Sequence, residues 1–314
     1  MKIVVPDDYP AVLAPSQAYL NLTARAAIEY HDSLPGSEER LIERLRDAGI
    51  VVNIRSSSKF TPRVFEACPQ LKLVSIWGTG TDNIDLEAAV RCGVTVTNTP
   101  GVSAVSIAEH SLALMLAVAR QIPRIDGQVR KGEWPRGFVA QMYGKTLGIV
   151  GLGAIGRRFA EIGRAIGMRV IAWTMHPNAA LGFELVELDD LLRASDVVSV
   201  HLRLSDRTRG FLGRRELGLM KPAAILVNTA RGPIVDEAAL VEALTDRRIG
   251  GAGLDVYDVE PLPAGHPLTR LDNAVLTPHS AGVTPEALEA GLQLSVENIW
   301  SFLAGTPANV VVKP

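Results

Sequence analysis

Short apolar runs alternate with helical patterns along nearly the whole chain, and this alternation predicts βαβ units built on parallel sheets. The runs are apolar at nearly every position, as expected for strands that helices cover on both faces. Strands are predicted at 3–5, 51–54, 71–76, 94–97, 147–150, 169–173, 197–200, 224–228, 251–255 and 274–276. Helices are predicted at 39–48, 86–91, 106–120, 188–193 and 237–244.

A G-x-G-x-x-G run at 151–156 directly follows the strand predicted at 147–150 and opens a helical pattern. The three glycines serve a tight turn (Gly151), close approach of a pyrophosphate (Gly153) and close packing of helix on strand (Gly156). The helix N-terminus adds partial positive charge beside the phosphates. The alternative is a glycine-rich loop that only turns the chain. The strand before it and the helix after it favour dinucleotide binding.

This motif lies near the middle of the chain, whereas a dinucleotide fold usually begins at that strand, so another domain precedes it. The last helical pattern begins at Thr284 with a capping residue, Pro285 and Glu286, and we infer that it returns the chain to the first domain. The predicted fold is α/β: two Rossmann-like, doubly wound parallel-sheet domains with a cleft between them. Residues 1–98 and 285–314 form the substrate (catalytic) domain, and residues 99–284 form the NAD(P)-binding domain.

Composition narrows the function classes. Hydrophobic residues make up 47% and charged residues 21% of the chain, values near the average of globular proteins, so disordered and fibrous classes are disfavoured. A net charge of −2 gives no reason to expect nucleic acid or a membrane surface as partner, and a small-molecule substrate is expected. Cys68 and Cys92 suggest neither a disulfide framework nor a metal site. The N-terminus lacks the pattern of a signal peptide, and a cytoplasmic location is expected.

Three polar clusters follow predicted strands, at 228–232, 255–261 and 277–280. Open α/β sheets bind ligands at the carboxyl ends of their strands, so Arg231, Glu260 and His279 are offered to one cleft. Each alone is more often structural: a solvated arginine, a loop acid, a packed histidine. Together, beside a cofactor loop, they favour a functional site.

These three side chains together supply proton transfer and the binding of an anionic substrate. An imidazole such as His279 takes and returns a proton near neutral pH. Glu260 would fix the ring and favour its protonated form. Arg231 would hold a carboxylate through two parallel hydrogen bonds and polarise the neighbouring carbonyl.

With the glycine loop, these segments resemble the D-isomer-specific 2-hydroxyacid dehydrogenases, which include phosphoglycerate, glycerate, hydroxypyruvate and D-lactate dehydrogenases. The resemblance covers almost the whole chain and extends to 55–59, 78–85, 98–101 and 108–110. It implies catalytic roles for Arg231, Glu260 and His279, and substrate-binding roles for Arg55, Ser56, Gly78, Thr79 and Gly80. The cofactor-binding residues that it implies are Gly151, Gly153, Ala154, Ile155, Gly156, Thr174, His201, Thr229, Ala230, Asp255 and Gly282.

Two of these positions carry finer expectations. The resemblance implies that Asp255 accepts a hydrogen bond from the nicotinamide carboxamide. Gly78 and Gly80 would allow backbone N–H groups to approach the substrate carboxylate, and the alternative is a simple turn.

The sequence departs from the pattern at the adenosine end of the cofactor site. NAD-specific folds place an acid about twenty residues after the glycine loop, at the end of the second strand. Here Thr174 stands in that place, and no Asp or Glu occurs between Glu161 and Glu184. His176 and Arg203 are candidates to face the adenosine, Arg203 with a solvated side chain as its alternative. The cofactor is therefore expected to be NAD or NADP, with NADP accepted.

An alternative function comes from a different class. NAD(H)-sensing co-repressors of the C-terminal-binding type share this fold and the same Arg, Glu and His, but they need a peptide-docking surface and usually flanking tails. The enzyme is therefore favoured.

The segment 131–143 matches the arm by which relatives pair two cofactor domains, so a homodimer is expected. Trp77 and Trp134 are expected to pack in the interior, with a place in the wall of the substrate pocket as the alternative.

Overall fold

The computed structural model describes residues 1–54, 57–178 and 182–314. The described chain divides into two compact units: Met1–Ser103 with Val283–Pro314 form unit 1, and Ala104–Gly282 form unit 2. The first break follows Ser103 rather than residue 98, and the second precedes Val283 rather than residue 285. The substrate and cofactor roles of the two domains stay predictions.

The elements alternate in chain order as the apolar pattern predicts. The first part of unit 1 contains β1 (Ile3–Val5), α1 (Gln17–Thr23), β2 (Ile28–Tyr30), α2 (Glu38–Leu45), β3 (Ile50–Ile54), α3 (Pro62–Ala67), β4 (Leu73–Trp77), α4 (Leu86–Arg91) and β5 (Thr95–Thr97). Unit 2 contains α5 (Ala104–Ala119), α6 (Ile122–Arg130), β6 (Thr146–Val150), α7 (Ala154–Ala165), β7 (Arg169–Trp173), β8 (Glu184–Leu185), α8 (Leu188–Ala194), β9 (Val197–Val200), α9 (Arg214–Leu219), β10 (Ile225–Asn228), α10 (Glu237–Thr245), β11 (Gly251–Leu254) and β12 (Ala274–Leu276). The chain then returns to unit 1 with α11 (Pro285–Leu303) and β13 (Val310–Val312).

The sheet of unit 1 has the order β13-β5-β4-β3-β1-β2. Its strands are parallel except β13, which pairs antiparallel with β5. Alternate residues of β3 face opposite sides: Ile50 belongs to the apolar cluster beneath α1 and α11, and Val51 to the cluster beneath α2, α3 and α4. The predicted doubly wound fold is confirmed, and the two edge strands, β2 and β13, are additions that the apolar pattern did not predict.

The sheet of unit 2 is parallel throughout the described residues, with the order β12-β11-β10-β9-β6-β7-β8. Numbered within the unit, this is the 3-2-1-4-5-6 order of dinucleotide-binding folds with one further strand, and its order reverses between β6 and β9. Leu147 and Ile149 of β6 pack under α5 and α7, whereas Val150 belongs to the cluster under α8, α9 and α10. The glycine loop therefore follows the strand at which this sheet changes direction.

The helix α11 begins where the sequence predicts. The Thr284 hydroxyl accepts a hydrogen bond from the Ala287 N–H at 3.2 Å, and Pro285 occupies the first helical position. Leu292, Val296 and Ile299 are fully buried and form one apolar stripe against the sheet of unit 1. This stripe explains why the end of the chain folds back onto its beginning.

The apolar helix α5 buries six of its sixteen residues: Ser106, Ala108, Ser111, Leu114, Met115 and Ala119. Within the described ranges no single helix is long and apolar enough to cross a membrane. Only α5 and α6 taken together, bent by 60°, meet that length and composition.

Asp7, two residues after β1, is a buried acid that the sequence did not single out. It is 1% exposed, and neither of its carboxylate oxygens has a hydrogen-bond partner of normal geometry among the described residues. Burial raises the pKa of Asp7 to about 6, and Ser58 lies close enough to oppose this shift without forming a hydrogen bond of normal geometry. The folded chain therefore binds a proton here that the unfolded chain releases near pH 4.

This raised pKa predicts a loss of stability on going from acid to neutral pH. The stabilisation is fully present below the pKa of the unfolded chain and is lost as the pH rises through about 6, a change of about 3 kcal/mol. Asp7→Asn keeps a neutral side chain of the same shape, so its advantage in unfolding free energy over the parent should grow between about pH 4.5 and 7.5. Denaturant unfolding across this pH range measures the difference in unfolding free energy between the variant and the parent. The control is Asp47→Asn, the same replacement at an exposed position. A difference that does not change with pH would contradict the assignment.

Candidate active site

The glycine loop has a separate structural reason for each of its glycines. Gly151 has φ +104°, and a Cβ there would lie 2.6 Å from the His201 carbonyl oxygen. At Gly156 a Cβ would lie 2.0 Å from the Gly151 carbonyl oxygen, so the first turn of α7 sits too close to the loop for any side chain. At Gly153, the N-cap of α7, a Cβ would meet no atom of the described residues within 4 Å apart from its own chain neighbours. Protein packing thus explains the first and third glycines and leaves open space above the second.

This open space lies where a dinucleotide fold holds a pyrophosphate. Ala154 and Ile155 begin α7, and the N-cap Gly153 has no side chain to occupy the free N–H groups of the first turn. This loop therefore fits the pyrophosphate of a dinucleotide.

Other predicted cofactor residues lie on the same sheet. His201 follows β9, its backbone N–H donates to the Val150 carbonyl at 2.8 Å, and burial lowers the pKa of its imidazole. Thr229 and Ala230 follow β10, and the Thr229 hydroxyl is hydrogen-bonded to Ser111 of α5 at 3.0 Å. Gly282 is partly buried at the end of unit 2. Their contacts with a cofactor stay predictions.

Thr174 directly follows β7, the second strand of unit 2 in the chain, which is the place of the missing acid. Its hydroxyl lies 3.5 Å from the His176 N–H. His176 and Arg203 are both exposed. The structure thus places a neutral hydroxyl where NAD-specific folds carry a carboxylate.

Close backbone packing brings the first two polar clusters, 228–232 and 255–261, together. A Cβ on Gly232 would lie 2.0 Å from the Tyr257 carbonyl carbon, so only glycine allows this approach. Arg231, immediately before it, is partly buried, and its guanidinium donates to the Ala230 carbonyl at 2.8 Å. The contact places Arg231 near the segment that carries Glu260.

Glu260 and His279 form a direct pair. Glu260 Oε2 lies 2.6 Å from His279 Nδ1, and Glu260 Oε1 accepts the Tyr257 N–H at 3.0 Å. The carboxylate is thus held at both oxygens, which fixes the orientation of the imidazole and leaves its Nε2 away from the acid. The His279 side chain is 45% exposed, so the ring is open to a ligand.

The Glu260 carboxyl is kept ionised by its neighbours. Burial alone would raise its pKa, but the hydrogen bonds from His279 and the Tyr257 N–H, with the charges of His279 and Arg231, outweigh burial and lower the pKa. Because Arg231 contributes to this effect, the three predicted catalytic residues form one electrostatic cluster.

His279 has an uncommon backbone conformation, with φ +53°. Asp255, which is fully buried, accepts hydrogen bonds from both sides of it. The Thr277 hydroxyl donates to Oδ1 at 2.6 Å, the Ser280 N–H to Oδ1 at 2.9 Å and the Ala281 N–H to Oδ2 at 2.9 Å. Asp255 therefore holds the loop that presents His279, and its predicted contact with the nicotinamide stays a prediction.

The sequence analysis gave no role to Tyr257, Thr277 or His110. The Tyr257 hydroxyl donates to the Thr277 carbonyl at 2.9 Å while its N–H holds Glu260, so one residue connects both sides of the catalytic pair. His110 Nε2, from α5, lies 2.9 Å from the Thr277 hydroxyl. All three lie within motifs quoted above, and only the three-dimensional contacts give them functions.

The predicted substrate residues belong to unit 1. Arg55 and Ser56 lie outside the described residues. Gly78, Thr79 and Gly80 follow β4, and Gly78 has φ +128°. The Gly78 N–H already donates to the Thr99 hydroxyl at 2.7 Å, so Thr79 and Gly80 are left to supply the predicted N–H contacts with a carboxylate.

The two tryptophans differ from each other. Trp77 packs against α11, where a Cβ on Gly291 would lie 2.2 Å from its Nε1. Trp134 is 74% exposed, so the expectation that it packs in the interior is wrong.

Comparison with known proteins gives consistent matches. The model of the D-isomer specific 2-hydroxyacid dehydrogenase, NAD binding domain, matches residues 112–281. A glyoxylate reductase of Aeropyrum pernix is 44% identical over 291 residues, which cover 88% of this chain and 87% of that protein.

Two further matches bear on substrate and cofactor. A D-3-phosphoglycerate dehydrogenase of Methanocaldococcus jannaschii is 41% identical over 283 residues, which cover 88% of this chain but 54% of that protein, so the chain spans about half the length of this relative. The solved structure of an acyclic imino acid reductase, Bsp5, in complex with NADPH and D-Arg has a TM-score of 0.92 at 34% identity, covering 99% of this chain and 100% of that one.

Proposed function

This chain belongs to the D-isomer specific 2-hydroxyacid dehydrogenase family and is an NAD(P)-dependent D-2-hydroxyacid dehydrogenase, and we propose that it reduces a small 2-keto acid of the glyoxylate or hydroxypyruvate type. The observation that carries the proposal is the 2.6 Å pair of His279 and Glu260 within the electrostatic reach of Arg231. The relative named glyoxylate reductase, which this chain matches over 87% of its length, supports a small substrate.

Each of the three residues has a task in this reaction. When bound at the glycine loop, a reduced nicotinamide would supply the hydride for the keto carbon. His279, oriented by Glu260, donates a proton to the carbonyl oxygen, and the same residue accepts it in the oxidation direction. Arg231 binds the substrate carboxylate and polarises the carbonyl. Tyr257 and Asp255 keep the acid and the histidine loop in place.

A panel of 2-keto acids assayed with NADPH and NADH tests the proposal. Glyoxylate, hydroxypyruvate, pyruvate and 3-phosphohydroxypyruvate are the informative members, and the first two should have the highest kcat/KM. A parallel set with an added amine tests imino acid reduction, the activity in the name of the Bsp5 neighbour. Cofactor binding with negligible turnover of every member would favour the co-repressor type of binding protein.

We expect NADPH to be used at least as well as NADH. Thr174 carries no charge to repel a 2′-phosphate, and His176 and Arg203 are exposed donors near the end of β7 and β9 in the chain. The ratio of kcat/KM for the two cofactors measures this preference. Thr174→Asp should shift the ratio toward NADH, and Thr174→Ser is the matched control. Strict use of NADH by the parent protein would contradict the expectation.

We further propose that two copies of the chain pair through the arm 131–143. Trp134, Phe138 and Tyr143 on this segment are 74%, 103% and 70% exposed, an apolar surface of the kind that partners cover. Light scattering after size exclusion should give twice the chain mass of 33.7 kDa. Phe138→Asp should weaken this dimer, whereas Leu20→Asp on the exposed face of α1 should not. A monomeric parent protein at micromolar concentration would contradict the proposal.

A further inference from the structure

We propose that His110 is a positioning residue for the reaction: through the Thr277 hydroxyl and the Asp255 carboxylate, it holds the loop 277–281 in the conformation that presents His279. The inference rests on the proposed function, since it concerns the same catalytic histidine. It concerns contacts within unit 2 alone.

The direction of the hydrogen bonds follows from the number of protons available. The Thr277 hydroxyl has one proton and lies 2.6 Å from Asp255 Oδ1, compared with 3.4 Å from the Leu254 carbonyl. The proton therefore points to the carboxylate, and the hydroxyl oxygen must accept from His110 Nε2 at 2.9 Å. His110 thus carries its proton on Nε2 and donates it toward the loop.

A second contact strengthens this arrangement. His110 Nε2 also lies 3.6 Å from Asp255 Oδ1, close enough for the N–H to stabilise the buried negative charge. The carboxylate is 1% exposed, so water does not replace a lost donor easily. Removing His110 leaves the Thr277 oxygen and the Asp255 charge with fewer partners.

The loop needs such a restraint because His279 has positive φ, a conformation that non-glycine residues seldom adopt. Asp255 holds Thr277 before this residue and Ser280 and Ala281 after it. His110 comes from α5, a long helix packed against α7 and the sheet, and so anchors the chain of hydrogen bonds in the rigid core of unit 2. A loosened loop would allow the imidazole to leave its productive position, and small misplacements reduce turnover strongly.

Two variants, His110→Phe and Thr277→Val, each remove one hydrogen-bonding side chain from this series of hydrogen bonds. Their controls are His110→Gln, which keeps a donor, and Thr277→Ser, which keeps the hydroxyl. We expect each disruptive variant to lower kcat about 10-fold at an unchanged Kd for NADPH, and each conservative variant to recover most of the loss. The primary isotope effect on kcat with NADPH deuterated at the transferred position should increase, because the chemical step becomes slower. A general loss of stability would not raise it.

The double variant His110→Phe/Thr277→Val tests whether the two residues act on kcat through the same series of hydrogen bonds or independently. If the two residues act through the same chain, the double variant is no slower than the slower single variant. Losses that multiply would overturn the inference. So would full activity of Thr277→Val, or a loss of cofactor affinity that accounts for the lower turnover.

Failure of this inference is separable from failure of the proposed function. If His279→Ala strongly lowers turnover while the His110 and Thr277 variants remain fully active, only the positioning role is wrong. If His279→Ala retains full activity, the proposed function fails and the positioning role fails with it.

Discussion

Replacing His279 with alanine is expected to lower kcat for keto acid reduction by about 10²- to 10⁴-fold. The imidazole is the more exposed member of the pair with Glu260, and no other described residue of the cluster can both donate and accept a proton near neutral pH. Cofactor affinity should change little, since the glycine loop does not depend on this side chain. Steady-state kinetics at saturating cofactor and nucleotide binding by fluorescence measure the two quantities.

The matched control is His31→Ala, the same replacement at a histidine of unit 1 that lies 2.9 Å from Glu29. It should leave kcat unchanged. Full activity of His279→Ala would remove this residue from catalysis. Loss of cofactor binding in the same variant would show that the loop, rather than the proton transfer, had been damaged.

Much of the framework that carries this histidine follows from local sequence. The apolar runs predict the strands because a strand covered on both faces needs apolar residues at successive positions. The bounds of β1, β7, β9 and β12 agree with the predictions at 3–5, 169–173, 197–200 and 274–276. The glycine loop is also predictable. A tight turn, an open space and a close helix contact recur in loops that connect a strand to a helix and bind a phosphate, and each of them requires a glycine.

The connections within the site are not predictable in the same way. Position 232 requires glycine because the backbone of Tyr257 leaves no room for a Cβ there. Tyr257 is a neighbour of this position only because two loops pack together. The burial of Asp255 and the positive φ of His279 arise from the same tertiary contacts. A family resemblance assigns these residues to a functional site. It does not show which of them contacts a ligand and which holds another residue in position.

Arg231→Ala is expected to lower kcat/KM by about 10²- to 10³-fold, because a substrate carboxylate would lose a charged, two-point hydrogen bond in a partly buried site. Both parameters should change: KM rises with the lost binding, and kcat falls because the carbonyl is no longer polarised. Steady-state kinetics of the parent and the variant measure the changes in KM and kcat separately. A keto acid and its uncharged amide should differ strongly in the parent protein and little in the variant.

Arg231→Lys separates charge from geometry. A lysine keeps the positive charge but presents no planar fork, so it should recover part of KM and little of kcat. Because the Arg231 charge also lowers the pKa of Glu260, the alanine variant should raise that pKa and weaken the hold on His279 at the acid end of the pH–rate profile, whereas the lysine variant should preserve it. A profile of kcat/KM against pH that is the same in all three proteins, with unchanged KM, would place Arg231 outside the site and leave only His279 and Glu260 in it.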